Sequence, residues 1–265
     1  MLFDLSSAVL ALVIFGTVLG ATGAGVLIGR RVSHMSESLS EPLGVLQGAM
    51  LGVVGLILAF GLSLAVSRYE NRRATIVEET NAIGTTYLRA QTLAEPFRSQ
   101  SLDLLVAYTE SAVRLSDDVP GSDEAAAVGA EQSDLQNELW ALAGKALDEE
   151  PVASAPRLYV ETLNEMFDSQ TSRTAALNNQ VPTAVLVFEI IGAALAMALL
   201  AAYLTMIGRG IIAVALAAVL VSFLLYITCD LDRPTRGLIE VPDTVLEEQL
   251  EAMRQPPAAA APRPD

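Results

Sequence analysis

Four long apolar runs, at residues 6–28, 43–66, 181–207 and 211–228, constrain this chain more than any other feature. Each reaches about the 18–20 residues that a helix rising 1.5 Å per residue needs to cross ~30 Å of hydrocarbon. The first run ends at Arg30-Arg31, follows no basic segment and exceeds the apolar length of a signal peptide, so it predicts a retained helix. The second carries no charge at all and ends at Arg68. The third contains one acid, Glu189, together with twelve Leu, Ile, Val and Phe residues. Those twelve favour insertion by roughly 4–7 kcal/mol in total, whereas one central acid opposes it by about 3 kcal/mol, so the span stands. The fourth is the shortest and ends at Cys229-Asp230.

Charge is segregated in the same pattern. The formal net charge is −15, yet 52% of residues are hydrophobic. Residues 1–66 are close to neutral and 181–228 are neutral, while 67–180 carry 19 acids against nine bases. The predicted organisation is two spans within 1–66, an acidic helical domain at 67–180, two spans within 181–228, a membrane-proximal segment at 229–254 and a disordered Pro/Ala-rich tail at 255–265. Such acidity excludes nucleic acid as a partner, because phosphate needs a basic face. The lone cysteine, Cys229, excludes an intrachain disulfide.

An even number of spans puts both termini and the large loop on one side. That side holds Arg68, Arg72, Arg73, Arg173, Arg233 and Arg236 near span ends, against Arg30, Arg31 and Arg209 on the other. The positive-inside bias therefore predicts a cytoplasmic domain.

Between the paired spans, residues 69–93 lack proline and contain only Gly84, so the second span is expected to continue as one long helix. Glu95-Pro96 ends it, and Pro96 suits the first turn of the next helix. Residues 97–115 place Leu102, Leu105, Val106, Thr109 and Val113 at helical spacing. Residues 117–122 read as a loop. A helix follows over 123–149 with Leu135, Leu139, Leu142 and Ala146 on one side, and another over 157–179. A short amphipathic helix is expected at 245–253. Alternating strand patterns are absent, so the fold class is an all-α membrane protein with a two-plus-two layout of spans and an inserted helical bundle. Spans two and three are expected to extend beyond the membrane as stalks.

Three groups of residues carry chemical possibilities. Gly16/Gly20, Gly25/Gly29 and Gly44/Gly48/Gly52 repeat the spacing that lets helix backbones approach in lipid, either within a subunit or between subunits. Arg68, Arg72 and Arg73 follow the second span, where they either concentrate anions at a pore mouth or anchor to lipid headgroups. Glu78, Glu79 and Asn81 lie two to three turns further on, as partners for those arginines between subunits or as a solvated face. Glu189 is an ionisable group within a span, read either as a proton or cation site or as a carboxylate paired with a Ser or Thr. The single histidine, His34, lies in a short polar loop. With one His and one Cys, neither a zinc site nor a nucleophile–base pair of the usual kind can form, so no enzyme and no cofactor are implied. Asp230 and Asp232 are too few to hold Ca²⁺ and read as caps or as partners of Arg233 and Arg236.

Two stretches carry a family resemblance. One is residues 67–90, containing Glu79-Thr80-Asn81-Ala82-Ile83-Gly84 and continuing through Glu95-Pro96 to Tyr108. The other contains Asp230-Leu231-Asp232-Arg233-Pro234. With the two-plus-two layout, they resemble the bacterial bestrophin-like membrane proteins, a family built on a domain of unknown function and distantly related to bestrophin anion channels. The resemblance covers most of residues 5–250. Thr80 departs mildly from the family's more frequent alanine. True bestrophins are pentameric anion channels whose second span lines the pore. The resemblance therefore implies a homo-oligomer, a pentamer if the bestrophin pattern holds, conducting inorganic ions in a bacterial inner membrane. Val53, Ile57, Phe60 and Leu64 would form an apolar constriction, and Arg68, Arg72 and Arg73 would draw ions in. The alternative is a non-conducting membrane scaffold or sensor whose acidic bundle binds a partner.

Overall fold

The computed structural model describes residues 6–32, 40–208, 210–233, 235 and 237–256. His34, Arg209, Pro234, Arg236 and the tail from residue 257 lie outside them. All regular elements among the described residues are helices: α1 (Ser7–Val32), α2 (Ser40–Ala90), α3 (Phe97–Asp117), α4 (Asp123–Glu149), α5 (Ser154–Asn178), α6 (Thr183–Met206), α7 (Ile211–Leu231) and α8 (Thr244–Met253). They form two compact units. One is drawn from Met1–Tyr69 and Gln180–Glu240, the other from Glu70–Asn179 and Val241–Asp265. Helix α2 contributes to both, and its 51 residues extend about 77 Å, more than twice the hydrocarbon thickness.

In the first unit, α1, the first part of α2, α6 and α7 are long and apolar enough to cross a membrane. On α1 the buried residues are Leu10, Ile14, Val18, Thr22, Gly25 and Gly29, one face at spacings of three and four. That face lies on α6 and α7. Gly25 meets the Ala198 backbone and Gly29 meets Ala202, leaving no room for a Cβ at either glycine. Both sequences rise together in these pairs, so α1 and α6 run in the same direction. Gly61 of α2 faces Glu189 and Gly44 faces Tyr203, an opposite order that makes α2 antiparallel to α6. Gly208 and Gly210, at φ of +69° and +79°, make the tight connection into α7. The core joins Leu10, Ile14, Leu58, Leu186, Ile190, Met197, Val214 and Leu225. Leu12, Ile212, Leu216 and Leu220 point outward, which hydrocarbon tolerates and water does not.

In the second unit, α3 packs on α4 and α8, and α4 on α5. Ser122 caps α4, its hydroxyl accepting from Ala125 N at 3.1 Å, and Asp123 and Glu124 face the positive end of the helix dipole. Helix α5 starts at Ser154, earlier than the spacing suggests, because Pro156 fits a first turn whose N–H groups lack helical partners. It ends at Asn178, and α6 resumes only after Pro182, so this side of the layout is two helices where α2 is one. The core contains Ile76, Ile83, Tyr87, Leu105, Tyr108, Leu139, Tyr159, Leu163 and Met166. Leu246 and Met253 of α8 complete it. Tyr87 donates to Met253 O at 2.7 Å, and Gly84 leaves room for the Gln249 side chain.

Candidate functional site

The spanning part of α2 buries Leu58, Gly61 and Ala65 and leaves its opposite side uncovered. Val53, Phe60 and Leu64 are exposed, with Phe60 at 62%, and Ile57 is half-buried. Of the four candidate spans, α2 buries the smallest share of its most apolar window, 17%. Gly48 and Gly52 have nothing within contact distance of a Cβ, and neither do Gly16 and Gly20 of α1. The glycine repeats thus divide. Gly25, Gly29 and Gly44 pack inside the chain, and the other four remain open.

Beside this face lies a cavity of about 320 Å³ lined by Val53, Val54, Ile57, Leu58, Phe188 and Glu189, among others. Glu189 is 3% exposed, and its carboxylate occupies the space that any side chain at position 61 would need. Its Oε2 is buried with no hydrogen-bond partner among the described residues. The Ser or Thr partner allowed by the sequence is not found there. Ser222 and Thr228 of α7 donate instead to Ala218 O and Leu224 O of their own helix.

Beyond the span, the three arginines separate. Arg73 is exposed and Arg68 half-buried, its Nη1 without a hydrogen-bond partner among the described residues. Arg72 was expected at an aqueous mouth but is 1% exposed. Its Nε donates to Ala176 O at 3.3 Å and its Nη2 to Asn179 O at 2.8 Å. Carbonyls at a helix C-terminus lack intrahelical donors and carry the negative end of the dipole, so a guanidinium is well matched to them.

One turn pair further, Glu79 is fully buried, whereas Asn81 is exposed. Glu79 Oε2 accepts from Arg173 Nη1 of α5 at 2.6 Å, and Tyr108 of α3 donates to Oε1 at 3.4 Å. The Arg173 Nη2 donates to Ala112 O at 3.1 Å and to Ser116 Oγ at 2.5 Å. Three helices are therefore joined by one buried ion pair. Burial first, and then the Glu79 charge, push the Tyr108 phenol well above its usual range. Sequence reasoning missed the pairing of Arg173. The available signal was its place on the apolar stripe of α5, after Tyr159, Leu163 and Met166 at helical intervals.

After α7 the acidic motif ties backbone together. Asp232 Oδ2 accepts from Val181 N at 2.6 Å, and Asp230 Oδ2 accepts from Leu238 N at 2.8 Å and Ile239 N at 3.1 Å. A Cβ at Gly237 would press on the Asp230 carboxylate at 2.8 Å, so the turn closes tightly there. Arg233 Nη1 donates to Ser7 Oγ at 3.4 Å, and Pro234 lies outside the described residues. Among the described residues no group of three or more His, Cys, Asp or Glu side chains could hold a metal ion.

With this geometry in hand, comparisons with known proteins are specific. The family model described as the bestrophin-like domain matches residues 13–246. Solved structures of a bacterial bestrophin homolog from Klebsiella pneumoniae share the fold. A tyrosine-to-alanine variant matches at TM-score 0.65 and 16% identity, covering 89% of this chain and 98% of that one. The form solved by zinc phasing matches at 0.65 and 15% identity with the same coverage. An aspartate-to-alanine variant covers 90% of this chain and 100% of that one, again at 0.65 and 16%. A search of curated proteins finds no sequence match. At such identities the likeness is one of fold.

Proposed function

This chain belongs to the bestrophin-like family of membrane proteins, and on that premise we propose that several copies assemble into an ion channel, selective for anions, lined by their α2 helices. The reading rests chiefly on the uncovered side of α2. A helix with Val53, Phe60 and Leu64 turned away from its own chain suits an axial position, where symmetry brings the same residues together as a ring. Those residues and Ile57 would form the apolar constriction. Arg73, exposed about two turns beyond the span, would concentrate anions at its mouth, with Arg68 behind it and Arg72 holding the helix in place through the α5 carbonyls. The Glu79, Asn81, Asp230, Asp232, Arg233 and Pro234 positions serve the scaffold around that path. The assembly sits in a bacterial inner membrane, with the termini and the α3–α5 bundle in the cytoplasm and no catalytic step involved.

Reconstitution into liposomes with an ion-flux assay tests this. Anion flux that rises in the Phe60→Ala variant and falls in Arg73→Ala is the expected result. An intact assembly that passes nothing under any gradient removes the channel reading. It would favour a scaffold or sensor, for which Trp140, half exposed on α4 with its ring 6.2 Å from Phe167, offers a partner-binding surface.

A further inference from the structure

Glu189 is the one acid of the third apolar run, and its surroundings specify what it can bind. We propose that Glu189 is an intramembrane proton-binding site, held as a neutral carboxylic acid in the crossing of α2 and α6. This does not depend on whether the assembly conducts; it needs only the membrane-spanning helices.

The Glu189 side chain is 3% exposed and its Oε2 has no hydrogen-bond partner among the described residues. From α2, Gly61 presses against the carboxylate, and the nearby Leu58 and Ile57 bring no ionisable group. The nearest base on α2, Arg68, lies two turns further along. From α7, buried Cys229 belongs to the same spanning core, and beyond it stand Asp230, Asp232 and Arg233. Those two aspartates already accept backbone N–H groups, and Arg233 reaches Ser7. The hydroxyls of Ser222 and Thr228 are spent on their own helix. The buried face of α1, through Leu10, Ile14 and Val18, carries no ionisable group. A lone carboxylate charge in hydrocarbon has no compensation here. Among the described residues no group of three or more His, Cys, Asp or Glu side chains gathers here to hold a metal ion. A proton requires no such group.

The test uses the full-length protein in phosphatidylcholine nanodiscs, treated with dicyclohexylcarbodiimide or with a water-soluble cationic carbodiimide, and read by peptide mass spectrometry. The reagent takes the carboxyl proton on nitrogen and the carboxyl oxygen on its central carbon, so a proton-bearing acid in an apolar place reacts. The adjoining apolar cavity gives the hydrophobic reagent its route. Adduct at Glu189 is expected about tenfold more abundant with the hydrophobic reagent, and absent at Glu79, which is buried but ion-paired. Equal labelling by both reagents, or none at Glu189, overturns the proposal. The variant Glu189→Gln keeps the shape without the proton and is expected to leave assembly and thermal midpoint unchanged. If it dissociates the assembly, Glu189 is instead the ionised partner of a cation on a neighbouring copy, and the proposal falls.

Discussion

Replacing Arg173 by alanine isolates the buried ion pair that joins α2, α3 and α5. Arg173 and Glu79 are 1% and 0% exposed and meet at 2.6 Å. The substitution strands the Glu79 carboxylate and also removes donors from Ala112 O and Ser116 Oγ. Breaking such a pair from one side costs about 3–5 kcal/mol, because the remaining charge stays buried without its partner. For a unit of this size that lowers the thermal midpoint by roughly 10–20 °C. Trp140, the chain's single tryptophan, lies on α4 of the same unit, so its fluorescence reports this transition. Substituting both partners by apolar residues of similar volume, Glu79→Leu with Arg173→Met, is expected to recover most of the loss. The exposed Arg114–Glu131 pair is the control, its Arg114→Ala variant losing about 1 kcal/mol or less. An Arg173→Ala variant no less stable than that control, or a double variant as unstable as the single one, would refute the reasoning.

Three further outcomes follow from the packing. Gly61→Ala should lower the midpoint of the spanning unit in detergent, and adding Glu189→Ala should restore it, because the two side chains compete for one space. Gly25→Val should be disruptive and Gly16→Val tolerated, since only the former meets a neighbouring backbone; detergent-extracted yield and monodispersity read this out. Burial pushes the Tyr159 phenol up to about 12. A raised folded value favours the protonated form, so its stabilisation is complete below about pH 10 and is lost between about pH 10 and 12, on the order of 3 kcal/mol. Unfolding midpoints measured across that range should flatten in Tyr159→Phe.

The spans were legible because lipid imposes a rule on composition: twenty or so uncharged residues in a row have few other destinations. The soluble helices were nearly as clear. Asp123–Glu149 runs between a Ser cap and a proline-bearing loop, and both ends are written in local chemistry. Likewise Gly84, in a stretch without proline, did not interrupt α2. The family motif could be seen without being understood. Glu79 and Arg173 stand 94 positions apart, and nothing local says that two solvable charges will be buried together. Arg72 reads from sequence as a solvent-facing base beside a span, and became a ligand of helix carbonyls only once α5 ended where it does.

By itself, then, the sequence determined which segments are apolar enough to span and which residues form helices, because these depend on side chains within one or two turns. Tertiary structure decided which glycines are packed and which are open, which arginine meets water and which meets backbone, and that Glu189 Oε2 is buried without a hydrogen-bond partner among the described residues. Each of those depends on a neighbour from a distant helix, and helical periodicity names a face without naming what covers it.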